Sequence, residues 1–307
     1  MNTQIPAPQS AAPHREIEFI APRRLFFLVS GALVLASIVM LVSGRLKLGI
    51  DFTGGTVVQM GFKQNVDTAQ LRAALAGRFP GVDVQSVAAQ GPYIREYIVR
   101  VNDSAEKSQT EKRVSEAVAA QGIPFEVMRV EYVGPTIGRH LQNRAFQAIG
   151  FSLLGIIVYV AFRFKSSVWG VAGVVALAHD VLLTLGFLML MNREITLVVI
   201  AALLTLVGYS INDSIVVFDR IRENMRLNRT DPLDRVMNRS LNQTLTRTIL
   251  TSATTLVAVG MLYVLGNEVI KDFALTMLFG CIVGTYSSIY VASAMVLEYR
   301  TLGKARA

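Results

Sequence analysis

The chain has 307 residues, of which 52% are hydrophobic and 17% charged, with a formal net charge of +8. Soluble domains carry about a quarter charged residues, so this balance excludes an ordinary soluble protein and points to the membrane class. The positive charge gathers in short clusters beside apolar runs, which fits orientation in a bilayer and contact with anionic lipid; no nucleic-acid motif accompanies it. Cys281 is the only cysteine, so an intrachain disulfide and a cysteine metal site are excluded.

Residues 1–22 are expected to form a disordered tail, rich in Pro, Gln and Ala over its first half. The first apolar run, 25–42, follows Arg23-Arg24. It is too long for a signal-peptide core and no small-residue cleavage site follows it, so a retained anchor is expected. Five further runs lie at about 145–162, 168–191, 195–218, 249–265 and 273–297. Each is close to the roughly 20 residues a helix needs to cross a bilayer. The implied division is helix one over 23–43, an inserted domain over 44–138, helices two to six over 139–298, and a tail over 299–307. Arg15, Arg23 and Arg24 precede the first span, Arg163 and Lys165 separate the second and third, and an arginine cluster from Arg220 to Arg239 separates the fourth and fifth. The other short loops are poor in positive charge. The positive-inside rule then puts both termini in the cytoplasm and the insert outside.

The insert reads differently from the spans. Residues 56–62, 82–87, 93–101 and 125–132 alternate or run as strands, and 68–79 and 104–121 read as helices. Asp67-Thr68-Ala69-Gln70 resembles a helix-start box, and Leu71, Leu75 and Phe79 give that helix an apolar face. The order β-α-β-β-α-β predicts a small α+β ferredoxin-like sandwich. After the fourth span, Asp231-Pro232 starts a segment expected to lie in the membrane interface over about 231–243.

Asp213 lies inside the fourth apolar run. A carboxylate there costs a few kcal/mol on insertion scales and is rarely idle. Burial makes a carboxyl group hold its proton and a nearby cation loosens it, so a group balanced between the two can carry protons. A structural acid bonded to a neighbouring helix is the alternative, and Asn212 and Ser214 beside it could support either. Arg247, at the start of the fifth span, could reach the depth of Asp213 or extend to the headgroups. Thr248, Thr251, Ser252, Thr254 and Thr255 continue inward from it, a face too polar for lipid, which predicts a polar helix interface or a hydrated path. His179-Asp180 sits near the middle of the third span, where function and helix-to-helix bonding are equally open; the further ligands of a metal hydrolase are missing. Asp219 to Asn224 reads as a solvated helix end with local ion pairs. Gly280 and Gly284 form a GxxxG pattern that lets helices approach closely. Gly49-Ile50-Asp51-Phe52-Thr53-Gly54-Gly55-Thr56 leads from the first span into the insert, and its paired glycines suit a tight turn or a close backbone approach.

Three stretches carry a resemblance: Gly49 to Thr56, His179-Asp180-Val181, and the long run from Gly208 to Asn224. Together they resemble the SecD/SecF family of bacterial protein-export membrane subunits. The small insert places the chain on the SecF side, since SecD-like proteins carry a much larger first external domain. The resemblance covers the chain from the first span to the sixth. It implies six transmembrane helices forming half of an RND-type core, paired with six from SecD. It implies work beside the SecYEG channel, with YajC as a further partner, drawing unfolded exported polypeptide outward at the expense of the proton gradient across the inner membrane. It carries a proton-relay role onto Asp213 and Arg247, and implies no cofactor, no metal and no enzymatic reaction. A proton-coupled efflux component built on the same core is a rival, opposed by the small size of the insert. A non-conducting assembly scaffold is another, and it predicts that Asp213 tolerates neutral replacement.

Overall fold

The protein is described by a computed structural model over residues 16–87, 89, 91–101, 107–164 and 167–305. Expectations resting on residues 1–15, 104–106, Lys165 and Arg306 lie outside the described residues. In chain order the elements begin with α1 (Arg23–Val42), β1 (Lys47–Leu48), α2 (Ile50–Thr53), β2 (Gly55–Phe62), α3 (Thr68–Ala76), β3 (Asp83–Val87), β4 (Arg95–Val101), α4 (Lys107–Ala119) and β5 (Phe125–Val133). They continue with α5 (Pro135–Phe164), α6 (Ser167–Leu190), β6 (Glu194–Ile195), α7 (Leu197–Leu227), α8 (Leu233–Leu265), α9 (Glu268–Ser287), a π-helical turn (Ser288–Ala292) and α10 (Ser293–Ala305). Among the described residues six helical segments are long and apolar enough to cross a membrane: α1, α5, α6, α7, α8, and the run Glu268–Thr301.

The chain divides into two compact units. One comprises Met1–Ser43, Gly155–Met191 and Ala202–Ala307; the other comprises Gly44–Leu154 and Asn192–Ala201. In the second unit, β2 to β5 form an antiparallel sheet in the order β3-β4-β2-β5, which is the ferredoxin-like arrangement. Leu71, Leu75 and Phe79 are buried with Val58, Met60, Val99 and Val101, so the period-2 faces of the strands and the apolar face of α3 meet as their spacing predicts. Burying each such side chain stabilises by about 1.5–3 kcal/mol. The helix-start box differs from expectation: Asp67 occupies the N-cap position of α3 but makes no side-chain capping bond. β1 and β6 pair in parallel, Lys47 with Glu194 and Leu48 with Ile195.

In the first unit, Phe218 packs edge-on against Phe164 and Trp169 at 5.4 and 4.9 Å between ring centres, fastening α7 to the ends of α5 and α6. One expectation is corrected here. Residues 16–22 were expected in a disordered tail, but Ile17 N and Phe19 N donate to Asn242 Oδ1 and Asn238 Oδ1 of α8, at 2.9 and 2.8 Å, and Phe19 and Ile20 are buried. Two apolar side chains among polar ones are enough to lay this strap on the helices. The helix expected over about 231–243 leads into the fifth span as the first third of α8, which runs unbroken from Leu233. Val236, Met237 and Leu241 bury its apolar face against the protein. The tail after residue 298 stays helical to Ala305.

Candidate functional site

Asp213 sits on α7 and is 8% exposed. Thr248 of α8 donates to Oδ1 at 3.1 Å, and Ser288 of the π-helical turn donates to Oδ2 at 3.1 Å. Three elements therefore converge on one carboxyl group. Hydrogen bonds to a charged group contribute about 1.5–3 kcal/mol each. Removing a carboxylate from water costs several kcal/mol even after relaxation. The two are comparable, so the charge on Asp213 is decided by whatever else reaches it.

Arg247 is exposed on α8 and makes no ion pair with Asp213. It lines a hollow of about 520 Å³ with Asn212, Val216, Asp219, Gln243 and Thr244. The hydroxyls of Thr248 and Ser288 take the place the guanidinium was expected to occupy. Asn212 faces the hollow, while Ser214 is buried and gives Asp213 no hydrogen bond. The threonine face of α8 splits. Thr248 and Ser252 turn inward, and Ser252 meets Thr285 at 2.7 Å and accepts from Tyr209 at 3.1 Å. Thr251, Thr254 and Thr255 bond carbonyls of their own helix.

Asp180 is a second buried acid, 1% exposed. Its Oδ2 accepts from Ser210 of α7 at 2.5 Å and Ser287 of α9 at 2.8 Å, and its Oδ1 meets His179 Nδ1 at 2.9 Å. His179 stacks on Tyr286, its Nε2 is buried without a hydrogen-bond partner, and Tyr286 OH meets Ser30 of α1 at 2.8 Å. Asp180 thus pins three helices. The sequence reading missed that adjacent residues, Ser287 and Ser288, serve the two acids separately. Successive helical residues point roughly 100° apart, which sends one hydroxyl to Asp180 and the next to Asp213. The π-helical turn begins at that step, and such turns recur at functional sites. The signal available was the hydroxyl-dense run Gly284-Thr285-Tyr286-Ser287-Ser288 inside an apolar span.

The GxxxG pattern is a close contact with α7. A Cβ on Gly280 would lie 2.4 Å from Leu206 Cδ2, and one on Gly284 3.1 Å from Ser210 Cβ. Asp219 to Asn224 keeps the local ion pair expected of it, Arg220 with Glu223 at 2.8 Å, and adds partners on other helices: Asp219 pairs with Arg163, Arg220 donates to Gln243 at 2.7 Å, and buried Asn224 donates to Ser240 at 2.8 Å. Among the described residues no group of three or more His, Cys, Asp or Glu is placed to hold a metal ion.

The glycine-rich stretch is a junction. Gly49 N donates to Ile195 O at 2.9 Å, and a Cβ there would lie 2.9 Å from Thr196 Cγ2. Asp51 Oδ2 accepts from Leu197 N at 2.8 Å, satisfying one free donor at the start of α7. Phe52 follows in the short helix α2. Gly54 has φ +72° and lies where a Cβ would sit 3.3 Å from Pro135 Cα and Val133 O. Gly55 opens β2.

Comparison with known proteins fits this layout. Residues 113–302 match the family model "Protein export membrane protein SecD/SecF, C-terminal", and residues 39–66 match "SecD/SecF GG Motif". The chain belongs to the SecD/SecF family. Relatives on the SecF branch include a protein translocase subunit SecF from Calditerrivibrio nitroreducens, 40% identical over 94% of this chain and 95% of that protein. Another is the SecF of Escherichia coli O157:H7, 40% identical over 89% of this chain and 84% of that protein. The crystal structure of SecDF from Thermus thermophilus, a translocon-associated membrane protein, matches with a TM-score of 0.82 at 41% identity, over 93% of this chain. This chain spans 39% of that longer one. The Gly49–Thr56 stretch falls within the GG-motif match, so the junction with Ile195 and Leu197 is a geometry for that motif. This SecF-family chain is a multi-pass membrane protein.

Proposed function

We propose that this chain is the SecF subunit of a bacterial Sec protein translocase. In this reading it works with SecD, using the proton gradient to promote late stages of export across the inner membrane. Both termini face the cytoplasm and residues 44–138 form a domain on the outer side. The SecYEG channel and YajC are its further partners, and unfolded exported polypeptide is its load. The observation that carries this reading is Asp213: a buried carboxyl group held by two hydroxyls, beside a hollow that holds an arginine. Arg247 on an exposed face of α8 supports a second membrane subunit against it, since a cation facing lipid is costly.

Asp213 alternates between an ionised form, which accepts from both Thr248 and Ser288 and draws Arg247, and a protonated form, whose O–H turns one of those two hydroxyls from donor into acceptor. Because Thr248 and Ser288 belong to different elements, each charge state favours a different packing of α7 against α8 and the π-helical turn. One proton crossing 100 mV yields about 2.3 kcal/mol, which shifts a two-state equilibrium by nearly two orders of magnitude. Asp213→Asn keeps the size and hydrogen bonding and removes the titration. Export of a secretory precursor into membrane vesicles, with and without a proton gradient, tests the reading. The variant should lose the stimulation by the gradient and keep export in its absence. Stimulation that survives in Asp213→Asn refutes the proton-carrier role and leaves an assembly scaffold.

A further inference from the structure

The loop between α6 and α7 is tied to the ferredoxin-like domain by more than chain connection. Arg100 of β4 forms an ion pair with Glu194 at 2.7 Å, with the two side chains 16% and 9% exposed. Arg100 also reaches Asp83 of β3 at 3.5 Å, and Asp83 meets Lys47 of β1 at 3.4 Å. Lys47 is the parallel strand partner of Glu194, so the four charges and one backbone pairing close a ring. Next to that ring Gly49 bonds Ile195, and Asp51 caps Leu197, the first residue of α7. An ion pair this sheltered is weak evidence for stability, since its desolvation offsets its attraction, but breaking it leaves an uncompensated charge. It acts as a positional lock.

We infer that Arg100, Glu194 and Asp51 are positioning residues that make the external domain and the start of α7 move as one body. Asp213 lies sixteen residues along the same unbroken helix, about 24 Å at the helical rise. A displacement of α7 set by the charge on Asp213 is then delivered directly to the sheet through β4. Asp51 holds the helix end by its unpaired N–H group, and Glu194 holds the domain. The junction of β1 and β6 with the start of α7 is then the drive. This inference rests on the proton-carrier reading of Asp213.

The test uses the full translocase in membrane vesicles, with Lys47→Cys and Glu194→Cys combined in this chain. The change removes the ion pair and places two thiols at paired strand positions, within the Cα separation a disulfide spans. Cys281 is buried and does not compete. With the thiols reduced by dithiothreitol, gradient-dependent stimulation should fall about fivefold or more, the lower end of coupling between distant sites. Oxidation by diamide should restore it in the same preparation, a recovery that a folding defect would not show. Full stimulation in the reduced state overturns the inference, because the lock is then dispensable. Loss that persists in the oxidised state also overturns it, because the junction then has to open. Asp213→Asn measured alongside separates the two claims: stimulation surviving there refutes the parent reading whatever the cysteines do.

Discussion

Replacing Asp180 by leucine separates a helix pin from an idle polar residue. The carboxylate takes hydrogen bonds from His179, Ser210 and Ser287. Leucine fills a similar volume and accepts none of them. Ser287 can fall back on Gly284 O, which it already meets at 3.1 Å, so one or two donors are left unpaired. Each unsatisfied buried donor costs about 1–3 kcal/mol, which sets the loss at about 1–6 kcal/mol. With roughly 2–4 °C lost per kcal/mol for chains of this size class, the melting temperature should fall by about 2–24 °C. Asparagine should stay within about 3 °C of the parent, because its amide oxygen still accepts from a serine and its NH2 can face the other imidazole tautomer. Trp169 is the only tryptophan and packs on Phe218, so its fluorescence reports unfolding of the detergent-solubilised chain. Adding Ser210→Ala and Ser287→Ala to the leucine variant removes both serine donors, including the orphaned Ser210 hydroxyl, and should recover part of the loss. If leucine and asparagine melt together, or the triple variant is no better than leucine alone, the account of Asp180 as a satisfied three-helix acceptor is wrong.

Gly280→Ala should destabilise by about 1–3 kcal/mol, since its Cβ falls on fully buried Leu206, and Leu206→Ala should rescue it in the same melting assay. Gly54→Ala should lower the melting temperature without a rescuing partner. Its backbone, at φ +72° and ψ 173°, lies where glycine alone sits readily and costs about 1–3 kcal/mol with a side chain, and the atoms it would meet are backbone of Val133 and Pro135. In the domain, Glu126 accepts from both Tyr93 and Lys63. The Tyr93 hydroxyl, then Lys63, hold the carboxyl of Glu126 below its usual range, and the same hydrogen bond holds the Tyr93 phenol above its own. The ionised Glu126 therefore favours the folded domain at neutral pH, and its contribution fades as acid protonates it. Tyrosinate absorbance, with Tyr93→Phe as the blank, should show Tyr93 ionising at lower pH in Glu126→Gln than in the parent; an unchanged midpoint refutes the assigned cause.

What could be read from the sequence was local. Strand alternation and the spacing of Leu71, Leu75 and Phe79 carried the sandwich, because each depends on neighbours a few residues away. The six spans and the isolated acid at Asp213 were equally plain, because hydropathy needs no partner. The partners of that acid were not. Thr248 and Ser288 lie 35 and 75 residues away, and a hydroxyl in an apolar helix gives no sign of whether it bonds its own backbone or another chain segment. Ser287 does both. Glu194 was passed over as one charge in a short polar loop, since nothing near it in sequence marks Arg100 as its partner. Arg247 was placed by depth along a helix, and depth does not say which way a side chain turns.

The strap of Ile17 to Ile20 has a consequence for biogenesis. These residues leave the ribosome well before α8, since the asparagines that receive Phe19 and Ile17 follow 219 and 225 positions later. At usual elongation speeds that is a wait of roughly 10–45 s. This stretch is therefore sealed only after α8 has been made and inserted, and its resistance to a protease would date the arrival of that helix.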